Sequence, residues 1–245
     1  GDAIGIADVG TWGHVPFSNA CKKAGKKPIF GAEIAVVIDS TDRSKQTANM
    51  MAFIAKNNEG LSEIYDLVTK STSKENFYYF PRLSYSDLFD ISGNVIILSG
   101  THPEWGLLPL TRKDDLYIEI NPMSSKKAIE FCEQKGFKPV ATSDNFYPKV
   151  GDRKAYEVLV GMNRMERTKP MHLLNEYELL DCIPWLPDEA IENTYKIADM
   201  CNVDLPVAQM ISFTPEKTLE QMCIDGAPER GIDLEDPVYK ARLKR

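Results

Sequence analysis

Lys27-Pro28-Ile29-Phe30-Gly31-Ala32-Glu33 is the stretch that decides the fold. It is a short apolar run entered through Pro28, with Gly31 where a neighbouring backbone can come close and one acid, Glu33, at its far end. This reads as a buried strand. In α/β proteins, a carboxylate at the C-terminal end of a strand stands where chemistry is placed. Two other segments repeat the plan. Ala3-Ile4-Gly5-Ile6-Ala7-Asp8 ends in Asp8, and Lys138-Pro139-Val140-Ala141-Thr142-Ser143-Asp144 ends in Asp144. A lone acid after an apolar run is more often a solvated or helix-capping residue. The repetition is what predicts convergence on one rim of a barrel.

Working outward, residues 15–25 predict a helix with Pro16 in its first turn and Gly25 as its stop. Residues 28–38 are the next strand, 39–48 a polar loop, and 50–56 another strand. From Glu59 to Thr69, residues Leu61, Ile64, Tyr65 and Val68 share one helical face. Residues 94–100 and 116–121 read as strands, 124–136 as a capped helix, and 138–144 as the last strand. After it come only helices, over 153–162, 188–200, 216–225 and 237–245. Alternating strands and helices predict βαβ units and a mostly parallel sheet able to close on itself. The domain reading is a βα-barrel core over 1–150, a helical part over 151–215 and a further helical segment over 216–245. The opening Gly1, without Met and almost at the first strand, reads as part of a longer chain.

The chain has 245 residues, 43% hydrophobic and 27% charged, the composition of an ordinary globular protein with a proper core. A net charge of −7 argues against a bulk electrostatic grip on nucleic acid, so DNA contact is expected to be indirect or weak. Cys21, Cys132, Cys182, Cys201 and Cys223 form no CxxC pair and read as reduced thiols of a cytoplasmic protein. No run approaches the roughly 18 apolar residues of a membrane span, and no membrane partner is expected.

Recognisable catalytic machinery is thin. A metal-dependent phosphoesterase needs several His and Asp/Glu side chains around two or three cations. His14, His102 and His172 form no HxH or HxxxH pair, and each reads as an isolated structural or exposed residue. There is no GxSxG, no cysteine beside a base and no phosphate loop after Gly10. The aromatic run Phe77-Tyr78-Tyr79-Phe80 before Pro81-Arg82 could stack on bases, but packing of a loop onto the core is the preferred reading.

The order and wording of the segments resemble the PHP domain of bacterial replicative DNA polymerase III alpha subunits. The phrases are Ala20-Cys21-Lys22-Lys23-Ala24-Gly25 running into the stretch quoted first, Phe53-Ile54-Ala55-Lys56-Asn57-Asn58-Glu59-Gly60, Tyr79-Phe80-Pro81-Arg82, Val95-Ile96-Ile97-Leu98-Ser99-Gly100, Pro139-Val140-Ala141-Thr142-Ser143-Asp144 and Glu189-Ala190-Ile191-Glu192-Asn193-Thr194. The resemblance implies a distorted, TIM-like βα barrel followed by a helical extension, with 216–245 leading toward a polymerase palm that lies outside this chain. It also places remnant metal ligands at Asp8, Glu33 and Asp144. The family's imidazole positions fall on Val9, near Met50 and on Phe146, and a further ligand falls near Thr101. A thioether, a hydroxyl and a phenyl ring do not replace imidazole on Zn or Mn. No cofactor is therefore expected, the alternative being Mn, Zn or Mg held weakly by the three carboxylates.

The resemblance implies a structural and interaction module, with the rest of the polymerase alpha subunit and a proofreading exonuclease subunit as partners. The rival is a metal-dependent phosphoesterase or 3′–5′ exonuclease using Asp8, Glu33 and Asp144. A free-standing histidinol-phosphatase-like enzyme is a weaker third.

Overall fold

The computed structural model describes residues 2–160, 170–207 and 214–243. The chain divides into two compact units, Gly1–Leu205 and Pro206–Arg245.

The first unit is built on seven strands: β1 (Ala3–Asp8), β2 (Lys27–Val37), β3 (Asn49–Ala55), β4 (Arg82–Ser84), β5 (Val95–Leu98), β6 (Leu116–Ile120) and β7 (Lys138–Ala141). Its helices are α1 (His14–Ala24), α2 (Asn58–Ser71), α3 (Lys127–Lys135), α4 (Arg153–Val160), α5 (Glu176–Cys182) and α6 (Asp188–Met200). The sheet runs β1-β2-β3-β5-β6-β7 and is curled into a half-barrel, open between β1 and β7 among the described residues. The distorted α/β barrel expected from the sequence is thus present, and its sheet is mostly parallel as expected, with four parallel pairings and two antiparallel ones. β3 lies antiparallel to both β2 and β5. The physical reason is local: only the polar loop 39–48 joins β2 to β3, and without a crossover helix the chain doubles back.

β2 is the hub. Its first half pairs with β1 (Ala3↔Lys27 to Asp8↔Ala32), its second half with β4 (Ala35↔Arg82 to Val37↔Ser84), and its other edge with β3. Gly31 has the role read from the sequence, because a Cβ there would lie 2.5 Å from the carbonyl oxygen of Phe53. The alternation of β2 and β3 sends Phe30, Ala32, Ile34, Met51 and Phe53 to the face covered by Leu61, Ile64 and Leu67 of α2. Ile29, Ala52 and Ile54 turn to the other face, against Ile96, Leu98, Tyr117, Val140, Ile197 and Cys201. Burial on both faces explains why β5 reads as an unbroken apolar run, Val95-Ile96-Ile97-Leu98.

Helix ends follow local chemistry. Asn57 accepts from Gly60 N to start α2, and Asn175 and Glu178 form a reciprocal capping box on α5. α3 begins at Lys127 rather than at Ser124, because the Ser124 hydroxyl instead accepts from Asn121 N at 3.0 Å. The helix expected over 153–162 is seen as Arg153–Val160, and its last two residues lie outside the described ones.

In the second unit, α7 (Leu219–Gly226) is capped by Thr218, and α8 (Pro237–Leu243) follows. The stretch 244–245, read as the end of a helix, lies outside the described residues. Among the described residues no helix is long and apolar enough to cross a membrane.

Candidate functional site

Four carboxylates gather at one end of the curled sheet. Asp8 closes β1, and its Oδ2 points toward Gly13. Glu33 stands in the middle of β2, not at its end, because the apolar run Ile34-Ala35-Val36-Val37 carries the strand on. Asp144 lies beyond the end of β7, in the loop that follows, with a left-handed φ of 45°. So of the three acids expected to end their strands, only Asp8 does so. The structure still brings all three toward one region: Asp144 and Asp8 both raise the proton affinity of Glu33 through space.

The fourth acid, Glu119 on β6, was not singled out from the sequence. It is half-buried and accepts from Thr142 Oγ1 at 2.6 Å and from Asn121 Nδ2 at 3.1 Å. Burial pushes its carboxyl above the usual range, while the Thr142 and Asn121 hydrogen bonds pull it back down. The available signal was one acid inside Leu116-Tyr117-Ile118-Glu119-Ile120, an apolar strand where an acid has to find donors. Glu33 is pushed up to about 7, first by burial and then by the charges of Glu119, Asp144 and Asp8.

The positions that resemble the family's imidazole sites have other roles. Val9 and Met50 line a cavity of about 380 Å³ that Glu33 also borders. Phe146 packs on Tyr156 with ring centroids 5.6 Å apart. Thr101 Oγ1 accepts from Asn121 Nδ2 at 2.9 Å, in the same network that holds Glu119.

Each of the three histidines makes contacts of its own. His14 is buried and bridges Gly31 O at 2.9 Å and the Tyr65 hydroxyl at 3.3 Å, a structural histidine as read from the sequence. His102 is exposed, while half-buried His172 faces Glu178 at 3.5 Å. All five cysteines are free thiols: Cys21, Cys132 and Cys201 are buried, Cys182 is half-buried and Cys223 is exposed. Burial pushes the Cys132 thiol up to about 12 and Cys201 up to about 11, which leaves both inert as nucleophiles.

Among the described residues, no group of three or more His, Cys, Asp or Glu side chains is arranged to hold a metal ion. Among the described residues the four acids of the rim offer oxygen donors, and Glu119 is already engaged by Thr142 and Asn121. These residues do not fit a multinuclear Zn or Mn centre.

The aromatic run 77–80 is organised by arginines. Tyr78 lies between the guanidinium groups of Arg43, at 5.8 Å, and Arg82, at 5.2 Å. Arg82 is itself buried, donating to Asn76 O at 3.1 Å and to Ser40 O at 2.7 Å. Tyr79, with φ of 62°, remains exposed.

A curled mixed sheet with carboxylates along its rim and helices outside it defines an α/β half-barrel of the PHP kind, and residues 2–110 match the PHP domain. The chain carries a PHP domain consistent with that of a DNA polymerase III subunit alpha. It is 25% identical over 98% of its length to the DNA polymerase III subunit alpha of Helicobacter pylori. It is 29% identical over 68% of its length to that of Aquifex aeolicus, and 25% identical over 99% to that of Campylobacter jejuni. It spans only 17% to 24% of the length of these relatives.

Proposed function

We propose that this chain is the PHP region of a replicative DNA polymerase III alpha subunit, acting in DNA replication in the cytoplasm as a structural and interaction module. Its role is to stabilise the polymerase and to dock a proofreading exonuclease subunit. The observation that carries this reading is the state of the rim. Val9 and Met50 border an apolar cavity where the family resemblance places imidazoles, and Glu119 is committed to Thr142 and Asn121. Similarity to alpha subunits along nearly the whole chain supports the setting. Nucleotide transfer would belong to the rest of the alpha subunit, which also supplies the first partner.

A second reading is a phosphoesterase or 3′–5′ exonuclease that holds one Mg or Mn ion through Asp8, Glu33 and Asp144. The observation that favours it is the convergence of their negative charge on Glu33. One experiment separates the two. The protein is purified without chelator, its Mn, Zn and Mg are measured by elemental analysis, and hydrolysis of a chromogenic phosphate ester and of a 3′-labelled oligonucleotide is followed with added Mn. The structural reading expects substoichiometric metal and no hydrolysis sensitive to Glu33→Ala. Stoichiometric metal together with hydrolysis lost in Glu33→Ala establishes the enzyme instead.

A further inference from the structure

β1 and β4 both pair along the same edge of β2, since β3 occupies the other. β1 stops at the pair Asp8↔Ala32 and β4 starts at Ala35↔Arg82. Glu33 and Ile34 are therefore left without a strand partner on that edge. The cavity of about 380 Å³ opens at this gap, within the size range of ligand pockets. Its walls come from Val9 and Trp12 of the β1–α1 loop, Met50 of β3, Thr72 at the end of α2, and Phe80. Among the described lining residues Glu33 is the one ionisable group.

Two of the lining rings are exposed, Trp12 with 78% and Phe80 with 39% of their surface. Trp12 packs on the glycine of its own loop: a Cβ on Gly10, whose φ is +115°, would lie 2.0 Å from Cζ3 of the indole, so the ring has that room only because residue 10 is glycine. An exposed indole is the strongest of the aromatic partners for a cation, and its π face attracts a planar guanidinium above all. Glu33 lines the same cavity, and Asp8, Glu119 and Asp144 lie near enough to act on its carboxyl through space.

We propose that this cavity receives the side chain of an arginine presented by a partner protein. The methylene stem would lie against Val9, Met50 and Phe80, the guanidinium would stack on Trp12, and its N–H groups would donate to the Glu33 carboxylate. The apolar walls hold the stem, and Glu33 selects the charge. The inference rests on the interaction role proposed above and names one contact through which that role is carried out.

The test uses the whole chain and two blocked tripeptides, acetyl-Gly-Arg-Gly-amide and its citrulline counterpart, a neutral isostere. Binding is followed by calorimetry and by tryptophan fluorescence. The arginine peptide is expected to bind roughly tenfold more tightly than the citrulline peptide, the scale of one cation–π contact joined to an ion pair. Glu33→Gln should remove that preference, and Trp12→Leu should reduce it. Thr72→Trp, which fills the cavity from the end of α2 and leaves Glu33 and Trp12 in place, should abolish binding of both peptides. Equal affinity for the two peptides, no binding of either at millimolar concentration, or undiminished binding by Thr72→Trp overturns the proposal. A polymerase or exonuclease partner still bound by the Thr72→Trp protein would reject the pocket while leaving the interaction role standing.

Discussion

Asn193 Nδ2 donates to the carbonyl oxygen of Pro139 at 2.8 Å, and this contact closes one edge of the sheet. Thr142 N donates to Ile120 O across the β6–β7 ladder, so by alternation the carbonyls of Pro139 and Ala141 face away from β6. Both are satisfied by the same helix, the second by Thr194 Oγ1 at 2.8 Å. Pro139 has no N–H to offer. β7 is thus finished by side chains of α6, and the end of the same helix reaches across to β2, where Lys27 Nζ donates to Ala198 O at 2.6 Å. Asn193→Ala should lower stability by about 1–3 kcal/mol, because it leaves a buried carbonyl unpaired. Thr194→Val should cost less, since that hydroxyl is partly shared with Ala190 O. Urea midpoints of the two variants check the order.

Arg82 should be the most sensitive residue outside the cores. Its guanidinium is buried, donates to Asn76 O, Ser40 O and Asp42 O, and stacks on Tyr78. It ties loop 39–48 to the turn after α2. Arg82→Lys keeps the charge but loses the planar fork, and should cost about as much as a buried hydrogen-bond network, on the order of 2–4 kcal/mol. Limited proteolysis should then cut between residues 39 and 48 in the variant well before the parent chain. Equal cutting rates would mean that the loop is held by something else, such as the Asp39–Gln46 hydrogen bond.

The fold was legible wherever one segment carried its own signal. Pro28 and the apolar run gave β2, Gly25 ended α1 as expected, and Leu61 and Ile64 gave the buried face of α2. Strand direction was not in any one segment. It depended on the missing helix between Val37 and Asn49, a feature of the connection. β4 is only Arg82-Leu83-Ser84, too short for alternation to register, and its sheet position comes from β2. α5 was not read from the sequence, because it is only seven residues long and sets no more than Leu179, Leu180 and Cys182 against the core. At the rim, Asp8, Glu33 and Asp144 could be picked out, because each follows an apolar run. Glu119 was passed over: it stands alone in an apolar strand, but its donors, Asn121 and, more distantly in sequence, Thr142, are brought to it only by the fold.

Gly31→Ala should damage the hub directly. The added methyl would meet the Phe53 carbonyl oxygen at 2.5 Å, a backbone atom in a paired central strand that cannot swing away. Overpacking of this kind costs about 1–3 kcal/mol, and occasionally more. His14 accentuates the effect, because its Nε2 hydrogen bonds to Gly31 O and any shift of β2 stretches that contact. Thermal unfolding should show a single transition at lower temperature. An unchanged midpoint would mean that β3 can retreat, which the buried Met51 and Phe53 side chains argue against.

Glu33 gives stability a pH dependence of definite sign. Its carboxyl ionises near 4.5 in the unfolded chain and at about 7 in the folded one. Between these values the folded state binds the extra proton, so stability falls as pH rises through the window and levels off above it. Glu119, also raised by burial, acts in the same direction. The exposed acids Asp39 and Asp42, held low by Thr41 and Ser44, act in the opposite sense and only in more acid solution. Because water reaches part of Glu33, its share should be on the order of 1–2 kcal/mol. Glu33→Gln should therefore unfold at higher urea than the parent near pH 8 and at similar urea near pH 5, so that the fall between the two buffers is smaller. A parent chain that grows more stable across this interval, or a variant with the same fall, would show that the Glu33 carboxyl ionises as an ordinary surface acid. In that case the rim would be solvated and could not hold a buried charge against Glu119.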